Sequence, residues 1–329
     1  MTKPLDVLAI GNAIVDVIAT ADDAFLAAQS LDKGSMRLID AAEAERLYGV
    51  MGPGREVSGG SGANAAAGIA ALGGQVAFIG RVADDQLGQV FAHDIRAAGV
   101  DYLTPFANSG NPTARCLILV TPDAQRTMNT FLGASQDLTE ADVDYELVRQ
   151  AGITYLEGYL WDPPAPRAAM AKALKVAREA GNRVAFTLSD AFCVERHRDD
   201  FLMLADGNVD VLFANEVEIK SLYQTDDFDT AIAAIQGKLP IAVVTRSEKG
   251  ALVVTPDGTI AVPAEPVSKI VDTTGAGDLF AAGFLAGLSQ ARPLADCARL
   301  GAIAAAEVIS HYGARPEADL KALAAKVTG

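Results

Sequence analysis

Residues 272–288 read DTTGAGDLFAAGFLAGL, a Gly-Ala-Gly turn that opens directly onto an apolar, helix-like run. Glycines at a helix start leave the first backbone N–H groups uncovered by side chains, and the helix dipole adds about half a positive charge there. This pattern therefore predicts an anion site that needs no lysine, formed by the backbone of Gly275, Ala276 and Gly277. Asp278 falls in the first helical turn beside that site. A carboxylate there either complements the dipole or acts as a general base for phosphoryl transfer.

Upstream of this run, short apolar segments alternate with helix-like segments along most of the chain. The strand-like segments are 7–10, 76–79, 153–156, 184–188, 211–214 and 241–245. The helix-like segments are 63–72, 87–98, 163–180, 216–223 and 276–288. This alternation predicts βαβ units, and hence an α/β fold with a doubly wound, mostly parallel sheet flanked by helices.

Two stretches break this alternation, 11–39 and 103–132, which are rich in β-forming residues with polar residues between them. The second stretch contains a Thr-Pro-Asp-Ala turn between two strand-like halves, which is typical of a hairpin. Together they predict a small second sheet. We expect this sheet to form a lid against the core of a single domain that covers residues 1–329.

Charge and cysteine content limit the partners and the compartment. The chain has 42 acidic and 27 basic side chains, a net charge of −15, so neither nucleic acid nor a membrane surface is an expected partner. The short apolar run near the start is interrupted by Asp6, Asn12 and Asp16, unlike a signal peptide. Because the three cysteines are scattered, we expect a cytoplasmic protein without disulfides. A monomer or a homodimer is expected.

A second glycine cluster, SGGSGAN at 58–64, precedes the helix-like run 63–72. Gly60 would let a small polyhydroxylated substrate approach the backbone, and Asn64 would offer it both a donor and an acceptor. A plain helix start explains the same residues. The Gly60-x-Gly62-x-x-Ala65 spacing also resembles a dinucleotide fingerprint, but the preceding MGPGREVS looks like a turn-rich loop rather than a buried strand.

The motif GNAIVD at 11–16 directly follows the first predicted strand. Polar side chains at the exit of a buried parallel strand lie where α/β folds bind ligands. Asn12 and Asp16 are therefore candidate substrate ligands, because a carboxylate accepts hydrogen bonds from two vicinal hydroxyls. A simple turn is the alternative.

Candidate nucleotide and phosphate contacts follow later in the chain. Asn215 and Glu218 have the spacing of a helix capping box, and Glu218 is also placed to orient hydrated magnesium or phosphate. Thr245 ends a predicted strand and Gly250 permits a close backbone approach, so this pair indicates either a nucleotide contact or a hairpin. Arg126 in the predicted lid could reach a transferring phosphate.

Taken in chain order, the motifs at 11–16, 58–64, 215–218 and 272–278 resemble those of the ribokinase/PfkB carbohydrate kinase family. The resemblance covers essentially the whole chain, and the double-glycine and DTTGAGD motifs are its most specific parts. The opening DVLAIGNAIVDVIA and the lid residue Arg126 are most similar to the bacterial adenosine kinase-like members.

The resemblance implies a ribokinase-like core with a β lid, and ATP- and Mg²⁺-dependent phosphorylation of the primary hydroxyl of a ribose-containing nucleoside, adenosine to AMP. It implies that Asp278 is the base and that the 275–277 backbone forms the anion hole. The implied ligands of the acceptor hydroxyls are Asn12, Asp16, Gly60 and Asn64. Asn215 and Glu218 would organise phosphate and magnesium, the latter through water.

One departure leaves other acceptors open. Animal adenosine kinases have Asn where Thr274 stands, and Thr is common in ribokinase-like members. This leaves room for a free sugar or sugar acid such as ribose, fructose or 2-keto-3-deoxygluconate, and for a potassium ion near Asp272 and Thr274. Two further hypotheses are a dinucleotide-dependent oxidoreductase that uses 60–65 and a non-catalytic ligand-binding protein, against which the intact Asp278 argues.

Overall fold

Fourteen strands and twelve α-helices follow one another in the computed structural model, which describes residues 5–123 and 125–325. The ends of the predicted domain 1–329 lie outside the described residues. The strands are β1 (Leu5–Ile10), β2 (Ile14–Thr20), β3 (Met36–Leu38), β4 (Gly54–Gly59), β5 (Val76–Ile79), β6 (Asp101–Tyr102), β7 (Ala114–Val120), β8 (Arg126–Phe131), β9 (Ala151–Glu157), β10 (Arg183–Thr187), β11 (Val211–Asn215), β12 (Ile241–Thr245), β13 (Ala251–Thr255) and β14 (Gly258–Val262).

The helices occupy the segments between these strands and the C-terminal part of the chain. They are α1 (Asp23–Ala28), α2 (Ala41–Val50), α3 (Ser61–Ala71), α4 (Gln86–Ala97), α5 (Tyr145–Gln150), α6 (Pro164–Glu179), α7 (Ala191–Met203), α8 (Glu216–Tyr223), α9 (Phe228–Ile235), α10 (Ala276–Ser289), α11 (Leu294–Val308) and α12 (Leu320–Ala324). Among the described residues, no helix combines the length and the apolar character that a membrane crossing requires.

The large sheet has nine strands in the order β14-β13-β12-β11-β10-β9-β1-β5-β6. Every pairing from β12 through to β6 is parallel, and only β13 and β14 add antiparallel hairpin strands at one edge. All six predicted core strands are present in this sheet. The predicted doubly wound, mostly parallel α/β sheet is therefore confirmed.

Alternating side chains of the sheet pack into two helical layers. In β1, Val7 and Ala9 face the layer that contains α3, α4, α10 and α11, whereas Leu8 and Ile10 face the layer of α5 to α9. Because both faces are covered, the central strands are apolar throughout, as the sequence pattern predicted. This packing fixes the positions of the carboxyl ends of the strands, where the predicted substrate-binding residues lie.

The second sheet has five strands in the order β3-β8-β7-β2-β4, which confirms the predicted small sheet. β7 and β8 form the predicted hairpin, whose Ala124 lies outside the described residues. The interpretation of the residues before Gly60 as a loop is wrong, because 54–59 form β4, antiparallel to β2. Glycines and charged residues suit a short, half-exposed edge strand, so the composition of this segment concealed it.

Candidate active site

The order in which strands join the large sheet reverses at β1. After β1 the chain adds β5 and β6 on one side of it, and later adds β9 to β12 on the other side. Ligands of open α/β sheets bind at the carboxyl ends of the strands beside such a switch point. Asn12 follows β1, and Glu157 ends the adjacent strand β9. The fold therefore places both polar side chains at the expected ligand-binding edge.

Glu157 is completely buried and connects this edge to α3. Its Oε1 accepts hydrogen bonds from the backbone N (2.8 Å) and the side-chain Nδ2 (2.7 Å) of Asn12. Its Oε2 accepts one from the N–H of Gly62 at 2.6 Å. Burial raises the pKa of Glu157 to about 7, although these donors act to lower it. The carboxyl group thus fixes Asn12 against the start of α3.

The glycine pair before α3 lies tightly against the 11–16 motif. Gly60 has φ +100°, and a Cβ at this position would lie 2.1 Å from the carbonyl oxygen of Asn12. A Cβ on Gly59 would lie 2.5 Å from Oδ2 of Asp16. At Gly60 only glycine permits this approach, because the clash would be with backbone and φ is positive. The structure thus brings Asn12, Asp16 and the double-glycine segment together.

The start of α10 is shaped by two glycines with different surroundings. Gly275 is the N-cap residue with φ +79°, and a Cβ there would lie 2.6 Å from Cβ of Ala314. A Cβ on Gly277 would meet no atom within 4 Å. The first turn of this 14-residue helix therefore has open space beside its backbone, which is the geometry an anion requires at a helix N-terminus.

Asp278, in this first turn, links α10 to the first turn of α3. Its Oδ1 accepts a hydrogen bond from Ser61 Oγ at 2.6 Å, and its Oδ2 accepts one from Asn64 Nδ2 at 2.9 Å. Burial raises the pKa of Asp278, while these two bonds and the charge of Arg315 act to lower it. Each carboxylate oxygen is thus oriented by one donor, with further acceptor capacity free for a substrate hydroxyl.

Two predicted substrate ligands have a buried acceptor without a donor. Oδ1 of Asn12 and Oδ1 of Asn64 are both buried and have no hydrogen-bond partner among the described residues. Burial raises the pKa of Asp16 to about 6, whereas the charges of Arg126 and Arg315 lower it. A buried acceptor without a partner costs about 1–3 kcal/mol, and donors on a ligand would remove this cost. The arrangement suits a ligand with several hydroxyl groups.

The lid contacts the anion site through Arg126. Its Nη1 donates to Asp272 Oδ2 and to Thr274 Oγ1, and its side chain is only 9% exposed. Asp272 also accepts hydrogen bonds from the N–H groups of Thr274 (3.0 Å) and Gly313 (2.9 Å). Burial raises the pKa of Asp272, but these N–H donors and Arg126 outweigh it and hold that pKa below its ordinary value.

A second polar group lies further along the same sheet edge. Asn215 and Thr245 end the adjacent strands β11 and β12 and face each other in register. Glu218 accepts hydrogen bonds from the N–H (2.9 Å) and Nδ2 (2.6 Å) of Asn215, which forms the predicted capping box. Burial raises the pKa of Glu218 to about 7, and the nearby carboxylates of Asp190 and Asp278 act in the same direction. The group therefore lies within electrostatic reach of Asp278.

Gly250 is required by the hairpin between β12 and β13. It has φ +84°, and a Cβ there would lie 2.1 Å from the carbonyl oxygen of Val262 in β14. Packing of the neighbouring strand explains this glycine fully. Its contact with a nucleotide stays a prediction.

Comparison with known proteins identifies the family of the chain. The family model described as pfkB family carbohydrate kinase matches residues 6–320. The chain belongs to the pfkB family of carbohydrate kinases. The solved structure of adenosine kinase from Sinorhizobium meliloti is 50% identical with a TM-score of 0.91, and the match covers 98% of this chain and 99% of that one.

Two other known proteins match nearly all of the chain. A probable sugar kinase protein from Rhizobium etli CFN 42 is 49% identical with a TM-score of 0.92, and the match covers 100% of this chain and 99% of that structure. Adenosine kinase from Saccharomyces cerevisiae is 31% identical over an alignment 336 residues long, which covers 95% of this chain and 96% of that protein.

Membership in the pfkB family makes the chain an ATP-using phosphotransferase with a hydroxyl acceptor, which confirms the predicted enzyme class. The oxidoreductase hypothesis is set aside for a structural reason as well. The 60–65 fingerprint follows β4, an antiparallel edge strand of the lid, whereas dinucleotide sites follow a parallel core strand.

Three residues of this candidate site were not predicted. Ser61 lies inside the glycine motif, but its bond to Asp278 spans 217 positions. Glu157 had a local signal, because a charged residue that ends an apolar strand faces the ligand-binding edge. Arg315, which contacts the 58–64 loop, follows α11 in a Gly-Ala-Arg-Pro stretch that matches no motif with a known mechanism.

Proposed function

We propose that this kinase transfers the γ-phosphoryl group of ATP to the primary hydroxyl of a ribose-containing nucleoside, with adenosine as acceptor and AMP as product. The adenosine kinases of Sinorhizobium meliloti and Saccharomyces cerevisiae, at 50% and 31% identity, support this acceptor. The unpaired oxygens of Asn12 and Asn64 and the half-buried carboxylate of Asp16 supply acceptors for ribose hydroxyls.

The apolar surface of the lid is the observation that favours a nucleoside over a free sugar. Strand register places Leu38, Thr130 and Cys116 in one row with Asp16, so their side chains share its face of the lid. The next row on that face has four apolar residues and ends at Arg55 of β4; the apolar residues are Ile18, Ile118, Met128 and Met36. Leu38 and Met36 are 62% and 49% exposed. A nucleobase would cover such a surface, whereas a sugar offers mainly hydroxyls.

The proposed chemical step follows from the position of Asp278. Its carboxylate accepts the proton of the acceptor hydroxyl as that oxygen attacks the γ-phosphorus, and the bond to the β–γ bridging oxygen breaks to release ADP. Ser61 and Asn64 hold the carboxylate in place during this transfer. The N–H groups of the 275–277 turn stabilise charge on the transferring oxygens, and Arg126 approaches the same charge from the lid.

Magnesium and the nucleotide are proposed at the second polar group. Glu218 and Asn215 provide the oxygen ligands that Mg²⁺ prefers, and the pair would hold the ion through water because both Glu218 oxygens already accept hydrogen bonds from Asn215. Bound magnesium would neutralise phosphate charge. Thr245 and Gly250 are proposed to contact the nucleotide from the adjacent hairpin. A cytoplasmic location and a monomeric or homodimeric state stay predictions.

Potassium is proposed at Asp272 and Thr274, and the structure sets a condition for it. Asp272 Oδ2 and Thr274 Oγ1 both accept hydrogen bonds from the guanidinium of Arg126, so a positive charge already lies between them. A potassium ion would fit between them only after Arg126 had moved, for example toward the phosphates. Potassium dependence is therefore expected to accompany movement of the lid arginine.

The second candidate function is phosphorylation of a free sugar or sugar acid, which the 49% identity to a probable sugar kinase protein favours. A coupled ADP-release assay with ATP and Mg²⁺ separates the two candidates. The acceptors are adenosine, inosine, ribose, fructose and 2-keto-3-deoxygluconate, each with potassium and with sodium. We expect kcat/KM for adenosine to exceed that of every sugar. Preference for a sugar would contradict the nucleoside assignment, although the family and the base would stand.

A pair of surface variants tests the role of the lid face in the same assay. Leu38→Ser removes an exposed apolar side chain (62%) from the far end of the row that contains Asp16, and Val50→Ser removes an exposed one (48%) on α2 as a control. A contact worth about 1–2 kcal/mol corresponds to roughly a 5- to 30-fold rise in KM. We expect this rise for adenosine with Leu38→Ser alone. Equal KM values in both variants would contradict base binding by the lid.

A further inference from the structure

Segment 310–318, between α11 and α12, connects the two halves of the active site. On the anion side, the N–H of Gly313 donates to Asp272 at 2.9 Å, and Ala314 packs against Gly275. On the acceptor side, Arg315 reaches the 58–64 loop. The end of the segment is anchored by Glu307, whose Oε1 accepts from the N–H of Ala318 at 2.8 Å. The segment is therefore held in place independently of any substrate.

Arg315 spans the double-glycine loop with three hydrogen bonds. Its Nε donates to the carbonyl oxygen of Ser58 at 3.0 Å, its Nη2 donates to Ser58 Oγ at 2.8 Å, and its Nη1 donates to the carbonyl oxygen of Ala63. Ser58 is held from the opposite side by Asp94 of α4, which accepts from its N–H at 2.8 Å. The guanidinium thus joins the residue before the glycine pair to the first turn of α3.

Ser58 and Ala63, which Arg315 joins, lie next to the residues that orient Asp278. Ser61 and Asn64 lie in and immediately after the bridged stretch, and both donate to Asp278. The positive charge of Arg315 also faces Asp16, Asp94 and Asp278. Burial lowers the pKa of Arg315 to about 10, so the side chain remains charged at neutral pH.

We propose that Arg315 is a positioning residue of the phosphoryl-transfer reaction, which holds the junction of β4 and α3 (the 58–64 loop) so that Ser61 and Asn64 orient Asp278 and the acceptor. The inference rests on the proposed function, because it assigns this loop to the acceptor rather than to ATP. Arg315 acts through the loop. A planar, five-donor guanidinium is required, since the ammonium of lysine cannot reach the same acceptors with the same fork geometry.

Steady-state kinetics of Arg315→Gln and Arg315→Lys test this role. We expect Arg315→Gln to raise the KM for adenosine at least about tenfold and to lower kcat, with the KM for ATP within twofold of the wild type. Arg315→Lys keeps the charge and is expected to recover part of kcat but little of the adenosine KM. The control is Arg81→Gln, which removes a similarly shielded arginine that bonds both oxygens of Asp142 at 2.9 and 2.8 Å.

The outcomes separate positioning from a general structural role. Unchanged adenosine KM and kcat in Arg315→Gln would overturn the proposal, and so would equal losses for adenosine and ATP that match those of Arg81→Gln. If Arg315→Gln does not fold, Arg315→Lys decides the question: its KM for adenosine must rise while its KM for ATP stays within twofold of the wild type. Wild-type turnover with adenosine is measured first. Its absence would overturn the nucleoside assignment alone, and the two KM values would then be measured with the acceptor that the wild type phosphorylates.

Discussion

Alanine in place of Gly277 should separate the chemistry of the anion site from the stability of the helix that forms it. Gly277 lies in the first turn of α10, its φ is outside the left-handed region, and a Cβ there meets no protein atom within 4 Å. Alanine in a helix is favoured over glycine by up to about 1 kcal/mol. We therefore expect the melting temperature of Gly277→Ala to equal or exceed that of the wild type.

The same methyl group would occupy the space in which a transferring phosphoryl oxygen must approach the backbone. An N–H···O hydrogen bond needs a separation of about 2.7–3.2 Å, which a methyl group beside the donor obstructs. Loss of one donor of an oxyanion hole lowers kcat by about 10²- to 10³-fold, or roughly 3–4 kcal/mol. We expect a decrease of this size in an ADP-release assay at saturating adenosine and ATP.

Gly275→Ala is the matched control. Gly275 has φ +79°, and its Cβ would lie 2.6 Å from Cβ of Ala314, so this variant is expected to lose at least about 1–2 kcal/mol of stability. Thermal unfolding of both variants, followed by circular dichroism, gives the comparison. A Gly277→Ala enzyme that is stable and keeps more than about a tenth of the wild-type kcat would refute the placement of the transferred charge at this helix terminus.

Three further outcomes follow from the buried carboxylates. Asp16→Asn should raise the KM for adenosine more than about tenfold, because the ionised carboxylate accepts two hydroxyl donors, and leave the KM for ATP unchanged in steady-state kinetics. Because burial raises the pKa of Asp16 to about 6, kcat/KM for adenosine should fall as pH drops through 6; a flat profile from pH 5 to 8 would contradict this. Burial raises the pKa of Glu157 from 4.5 to about 7, so the protonated side chain stabilises the fold fully below pH 4.5. As pH rises through 7, the free energy of unfolding should fall by about 3 kcal/mol. Urea unfolding of Glu157→Gln should lack this decline, and equal pH slopes in variant and wild type would exclude it.

Much of the fold could be predicted because its strands and helices are specified locally. Apolar runs such as 153–156 are buried on both faces and need no long-range information to be recognised as parallel strands. The lid was harder. Strand β4, with the sequence GREVSG, has a composition typical of a loop and becomes a strand only through pairing with β2.

The site could be predicted where function requires an unusual local sequence. The 275–277 turn and Asp278 were identified because glycines at a helix start have a direct physical consequence. The supports of the site could not be found in this way. Ser61 meets Asp278 across 217 positions, and Arg315 meets Ser58 across 257, so only the tertiary fold reveals these contacts.

The central claim, that Asp278 takes the proton from the acceptor hydroxyl, is tested most directly by kcat for Asp278→Asn with adenosine and ATP. The isosteric amide preserves shape, but it cannot accept the proton. General-base catalysis contributes about 10²- to 10⁴-fold. The account predicts a loss of at least this range, with the calorimetric Kd for ATP within about threefold of the wild type. A variant that retained more than about a tenth of the wild-type kcat would contradict the claim.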